Sequence, residues 1–167
     1  PICCGGVVVN PGDIIKADRD GARAELLKAT DCRFDLSVAA GAPPSSQNNT
    51  TRVGMTDLAP TLEFGPSFIW TAARGEHWKL EARVPLRGAM TLERKPQFIG
   101  AVLSPNLNVD VIVGGWDFGA YIGPVFGTRK QNGYYYDVPD SAALPGRPAY
   151  RSDSGYAGAQ FVFGTSR

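Results

Sequence analysis

An all-β, antiparallel up-and-down meander is the fold that this 167-residue chain predicts. Three observations lead there. Apolar and polar residues alternate with period two through nearly every segment after residue 31, which is the spacing of strands with two unlike faces. Turn-like connections separate those segments. Helical periodicity is nearly absent: the one stretch of helix-forming composition, 22–29 (ARAELLKA), also alternates, with Ala22, Ala24 and Leu26 against Arg23 and Glu25.

In chain order, a weak strand is expected at 13–17 and an ambiguous one at 22–28. Over 32–40, Phe34, Leu36 and Val38 face one way, and Arg33, Asp35 and Ser37 the other. From 61, Leu62, Phe64, Phe68 and Trp70 oppose Glu63, Gly65, Ser67 and Thr71. The longest run follows His77. Here Trp78, Leu80, Ala82, Val84, Leu86, Met90 and Leu92 alternate with Lys79, Glu81, Arg83, Pro85, Arg87, Thr91 and Glu93. From Ile99, the set Ala101, Leu103, Leu107, Val109, Val111 and Val113 alternates with Ser104, Asn106, Asn108 and Asp110. Trp116, Phe118, Ala120, Ile122 and Phe126 then oppose Asp117, Gly119, Tyr121, Gly123 and Gly127. A last strand near 155–165 sets Ala157, Ala159, Phe161 and Phe163 against Gly158, Gln160 and Gly164. About eight strands result, in a single domain over 1–167. Pro66, Pro85, Pro105 and Pro124 fall inside these runs, and each removes a ladder donor, so bulged and bent strands are expected.

The connections fall into two sets. Those near 29–31, 73–76 and 114–115 are short and lie at one end of the meander. Those near 18–21, 43–60, 94–97 and 128–154 lie at the other and include both long loops. Short turns at one end with long loops opposite is the habit of outer-membrane barrels. Trp70, Trp78 and Trp116 all sit near the short turns in the apolar phase of their strands, the position of an interfacial aromatic girdle. Alternation alone leaves two assignments of the faces. A soluble calycin-like barrel would bury the apolar phase around a ligand; a membrane barrel turns it to lipid and encloses the polar phase. In the second case Glu63, Lys79, Glu81, Arg83, Arg87, Asp110 and Asp117 form a lumenal charge network, close to balanced once Arg23, Arg33, Glu25 and Asp35 are added.

Composition removes other classes. With 17 Lys+Arg against 16 Asp+Glu and no basic run, nothing favours nucleic acid as a partner. No apolar stretch approaches the roughly 18–20 residues of a membrane-spanning helix. Cys3, Cys4 and Cys32 are odd in number and lack metal-ligand spacing, so neither a disulfide framework nor a cofactor is expected. Overlapping glycosylation patterns at Asn48-Asn49-Thr50-Thr51 are the kind that recur by chance. One histidine, His77, cannot furnish a Ser/His/Asp set, and no serine shares its strand phase nearby. Glu63 and Glu81 could stand adjacent in the lumen as an acid–base pair, but Arg83 and Arg87 beside them favour ion pairing instead. Gly114, Gly115 and Gly123 lack the strand–loop–helix context of a phosphate site. The run Tyr134-Tyr135-Tyr136 suits loop packing better than ligand binding. No catalytic site is expected, and the chain is not predicted to be an enzyme.

The segments DIIKADRDGARAELL, RFDLSVAAG, GMTDLAPTLEFGPSF, LEARVPLRGAMTL, IGAVLSPNLNVDV, GAYIGPVFG and GYAGAQ, in this order, resemble the MipA/OmpV family of Gram-negative outer-membrane proteins. The resemblance covers about 13–164, and residues 1–12 match poorly. It implies a transmembrane β-barrel in the cell outer membrane, in contact with outer-membrane lipid. It also implies a scaffold whose partners are a lytic transglycosylase and a peptidoglycan synthase, meeting the short-turn end around Lys28, Asp31, Arg74 and Glu76. A pore for small solutes is the alternative. The family pattern, with further strands at both ends, a signal peptide and a terminal aromatic residue, makes an incomplete barrel the expectation here. A local stretch, GGVVVNPGDIIKADRDG, resembles RraA-like proteins, which would place Asp18 and Asp20 near a Mg²⁺ site; the α/β fold that should follow is missing from the pattern.

Overall fold

The computed structural model describes residues 31–42 and 52–167, together with the backbone of four strands nearer the start. Those four are β1 (Ile2–Cys4), β2 (Val7–Val9), β3 (Ile15–Lys16) and β4 (Ala24–Lys28). Asp18, Asp20, the expected connection at 18–21 and the Asn48–Thr51 pattern lie outside the described residues. Seven longer strands follow: β5 (Cys32–Ala42), β6 (Thr61–Arg74), β7 (Trp78–Thr91), β8 (Phe98–Leu103), β9 (Asn106–Val113), β10 (Trp116–Gly127) and β11 (Gly155–Ser166). Between β10 and β11 lies a short helix, α1 (Arg129–Tyr136).

The fold is an all-β antiparallel meander with a barrel-like arrangement: β5 pairs with β6, β6 with β7, β7 with β8 and β9, and both of these with β10, which pairs with β11. β1 and β2 form a separate two-stranded ribbon. Two places differ from the sequence expectation of about eight successive strands. β3 and β4 both lie antiparallel to β5, through Ile15↔Ala42 and Ala24↔Leu36, so they are two pieces of one edge position. β8 and β9 likewise share one position, interrupted at Ser104-Pro105, where proline cannot donate to the ladder. Seven ladder positions result.

The prolines act locally. Pro124 adjoins the register shift between Val125 and Phe126. Between Phe64↔Gly88 and Ser67↔Pro85 the ladder is interrupted, and β7 crosses so close that a Cβ on Gly65 would lie 2.1 Å from the Leu86 carbonyl oxygen. Only glycine fits there. The β9–β10 turn is two residues long, and Gly114 and Gly115 have φ of +59° and +80°, the left-handed pair that a tight hairpin needs.

The two faces of the sheet are opposite to those of a soluble barrel. Asp35, Ser37, Glu63, Ser67, Glu81, Arg87 and Asn108 are buried, while the alternate positions Phe34, Leu36, Phe64, Leu86, Leu107, Ile122 and Phe161 are exposed. Glu81 is 0% exposed and Leu86, five residues on in the same strand, is 51% exposed. Few apolar side chains join the enclosed face: Ile69, Ile99, Val102 and the small Ala39 and Ala89. Among the described residues no helix is long and apolar enough to cross a membrane.

Candidate functional site

Register alone brings the enclosed charges together. Arg33 and Arg83 both lie opposite Ile69, one from each side, and Lys79, Glu81 and Arg83 face Asp110, Asn108 and Asn106 across the next ladder. Residues two apart on a strand share a face, so three strands, β5, β7 and β9, contribute to one cluster. Its centre is the Glu81 carboxylate. Oε2 accepts from Arg83 Nε at 3.0 Å and Nη2 at 2.7 Å, and Oε1 stands 3.3 Å from Arg33 Nη1 and 3.2 Å from Lys79 Nζ. Asp35 takes Arg33 Nε at 3.2 Å. Asp110 accepts from Asn108 at 2.8 Å and stands 3.4 Å from Lys79 and 3.7 Å from Arg83. Three cations thus meet three carboxylates, which makes the enclosed charge neutral and explains how polar strands tolerate burial.

The other charges singled out from sequence are placed elsewhere. Arg87 donates to the Ser37 hydroxyl from Nε at 2.9 Å and Nη2 at 2.6 Å. Glu63 lies opposite Ala89, eight positions along β6 from Thr71, the partner of Glu81. At about 3.3 Å per residue that separates the two glutamates by some 26 Å, so they form no adjacent acid–base pair. Asp117 is exposed on the wall of a cavity of about 490 Å³ that opens at the short-turn end, with Arg74, Glu76, His77, Lys79 and Asp110. Deeper in, the gap between Asp35, Ser67, Arg83, Arg87 and Tyr121 is only about 20 Å³, room for a single water. Trp70, Trp78 and Trp116 are 48%, 46% and 40% exposed on the outer face towards the short turns. Arg167 lies over the Trp116 ring, 5.5 Å from its centroid. His77 is exposed, and its carbonyl accepts from Ile112 N. Cys32 is a free thiol.

At the loop end, α1 lies against β8. Thr128 caps it, its hydroxyl accepting from Gln131 N and, at 3.0 Å, from Ala101 N of β8. The three tyrosines tie it down. Tyr134 donates to the Ala59 carbonyl, the hydroxyls of Tyr135 and Thr61 lie 3.1 Å apart, and Tyr136 donates to the Ala157 carbonyl. Arg52 donates to the Tyr135 carbonyl and Arg147 to that of Val53, which joins the two long loops. Burial is the largest influence on Tyr135 and pushes its phenol up to about 12, with the Thr61 hydrogen bond opposing. Asp137, accepting from Ser152 N and Oγ at 2.7 Å each, is held below the ordinary carboxylate value by those bonds.

Alternation marks 128–154 as a loop and does not reveal α1. The available signal was Thr128 followed three residues later by Gln131, the pattern of a helix-capping box. Strand phase puts Arg33 and Asp35 on the enclosed face; only register shows that Arg33 reaches Glu81 across β6.

Among the described residues, no group of His, Cys, Asp and Glu side chains is arranged to hold a metal ion. No curated protein and no solved structure matches the chain. A family model does, over residues 7–167, and its description is MltA-interacting protein MipA. The chain belongs to the MipA family.

Proposed function

We propose that this protein is an outer-membrane β-barrel of a Gram-negative bacterium that acts by contact, as a scaffold between a lytic transglycosylase and a peptidoglycan synthase. The observation that carries the membrane reading is the reversal of the faces. Burying Glu81 while leaving Leu86, Leu107, Ile122 and Phe161 on the outside costs stability in water, because each apolar side chain left exposed forfeits about 1.5–3 kcal/mol. In lipid the same surface is favourable. Strand length agrees: β5, β6, β7, β10 and β11 have 11, 14, 14, 12 and 12 residues, against the roughly 9–11 that a tilted strand needs to cross. Trp70, Trp78 and Trp116 then form the girdle at one boundary, and the Glu81 cluster is the interior's charge network.

The family's name supports the transglycosylase as one partner, and the short-turn end, periplasmic in such barrels, is where it would dock. Small turns offer little area by themselves. The recess beside Arg74, Glu76 and Asp117 adds concave, charged surface to them. The filled interior and the helix tied across the loop end favour contact over conduction.

The test is retention of a purified lytic transglycosylase on the immobilised, detergent-solubilised protein. Retention is expected, weakened by Arg74→Glu with Glu76→Lys at the turn end and unchanged by Arg151→Glu at the loop end. No retention, or equal loss from both variants, contradicts the reading.

A further inference from the structure

Most cations near the ends of the sheet are engaged, Arg129 of the loop end with Asp137 at 3.8 Å among them. At the short-turn end Arg74 pairs with Asp31 at 3.6 Å and Arg167 stacks on Trp116. At the loop end, Arg94, Lys95 and Lys130 are exposed and none makes an ion pair among the described residues. Their placement is specific. The Lys130 ammonium stands 5.6 Å from the centroid of the Phe98 ring, and Phe98 is 55% exposed on the apolar face, pairing with Met90. Lys130 therefore hangs over the outer surface of β8. Arg94 and Lys95 sit in the β7–β8 connection, four and three residues before Phe98, within about 14 Å and 11 Å of it along the chain. The exposed surface around this turn is apolar and aromatic: Leu92 just past the end of β7, Phe98, and, opposite Leu103 further along β8, Phe126 with Tyr156 packed edge-on at 6.0 Å.

Unpaired cations directly above an exposed apolar surface fit a ligand that is anionic at one end and hydrocarbon below. We propose that Arg94, Lys95 and Lys130, grouped around Phe98, bind the phosphate-bearing headgroup of a lipid in the leaflet that meets the loop end. Phosphate oxygens accept charge-assisted hydrogen bonds from the three side chains, while the acyl chains run down the face of Leu92 and Phe126. This inference rests on the membrane reading above.

Quenching by brominated lipids tests both and separates them. The whole chain, carrying Leu92→Trp as a loop-end reporter, is folded into vesicles of phosphatidylcholine containing brominated phosphatidylcholine or brominated phosphatidic acid. Far-UV circular dichroism confirms folding of each variant. Trp70, Trp78 and Trp116 should be quenched by both lipids, whereas the reporter should prefer phosphatidic acid by at least about fivefold. That preference should vanish in Arg94→Gln/Lys95→Gln/Lys130→Gln and survive millimolar inorganic phosphate. Native tryptophans quenched but no reporter preference would overturn the headgroup site alone. Preference abolished by inorganic phosphate would overturn its assignment to lipid. Native tryptophans unquenched by either lipid would overturn the membrane reading and the site with it.

Discussion

Glu81 shows what a single side chain contributes to this fold. Its carboxylate has no solvent contact and neutralises parts of three cations, Arg33, Lys79 and Arg83, drawn from two strands. Glu81→Gln keeps the volume and leaves those cations facing one another, so a loss of about 3–5 kcal/mol is expected in denaturant unfolding from lipid. Tyr135 carries a different dependence. Its phenol is pushed up to about 12 from an ordinary 10.0, so the fold favours the neutral form. That contribution is whole below pH 10 and is lost as pH rises through about 12. Burial raises Tyr134 and Tyr136 as well, so spectrophotometric titration should find late-ionising phenolates, with the one near pH 12 absent in Tyr135→Phe and α1 loosening in the same window. Asp137 works in the opposite sense: its lowered pKa adds stability above the ordinary value of 3.8, lost as pH falls through the folded one. Amide exchange at Ser152 should therefore quicken, relative to its intrinsic rate, only in acid.

Among elements, the strands and α1 differ in how far the sequence reveals them. Strands β5 to β11 follow from alternation because each has one apolar and one polar face, and a two-residue period is hard to mistake over 6–14 positions. The break between β8 and β9 is readable only as Pro105. The joining of β3 and β4 into one edge is not readable at all, since it depends on which residues of β5 they meet. Helix α1 has no apolar face to betray it; Arg129 to Tyr136 is polar and includes Gly133, and its stability comes from a cap and from tyrosine hydroxyls reaching other loops. Thr128→Ala removes the acceptor for both Gln131 N and Ala101 N. About 1 kcal/mol or more of local stability should go with it, read as faster amide exchange in α1 and at Ala101 with the β5–β7 core unchanged.

For the molecule as a whole, alternation was compatible with two opposite proteins, and composition did not choose between them: an exposed apolar phase spread over every second residue gives the same totals as a buried one. Short turns, loop lengths and the positions of Trp70, Trp78 and Trp116 pointed towards the membrane version. The burial of Glu81 and Asp35 with the exposure of Leu86 and Leu36 is the structural counterpart of that inference. The site was legible in part. Strand phase identified Lys79, Glu81, Arg83 and Asp110 as sharing a face, while Glu63, Arg87 and Asp117 share the phase but sit along it at other heights. Leu86, near the middle of β7, is the sharpest probe of the outer face. Leu86→Arg should cost about 2–4 kcal/mol in vesicles if it lies near the bilayer midplane. The central claim, that this surface is made for lipid, is tested most directly by fractionating cells that express the protein. The account expects recovery with the outer membrane, resistant to carbonate and released by detergent; recovery in the soluble fraction without detergent would contradict it.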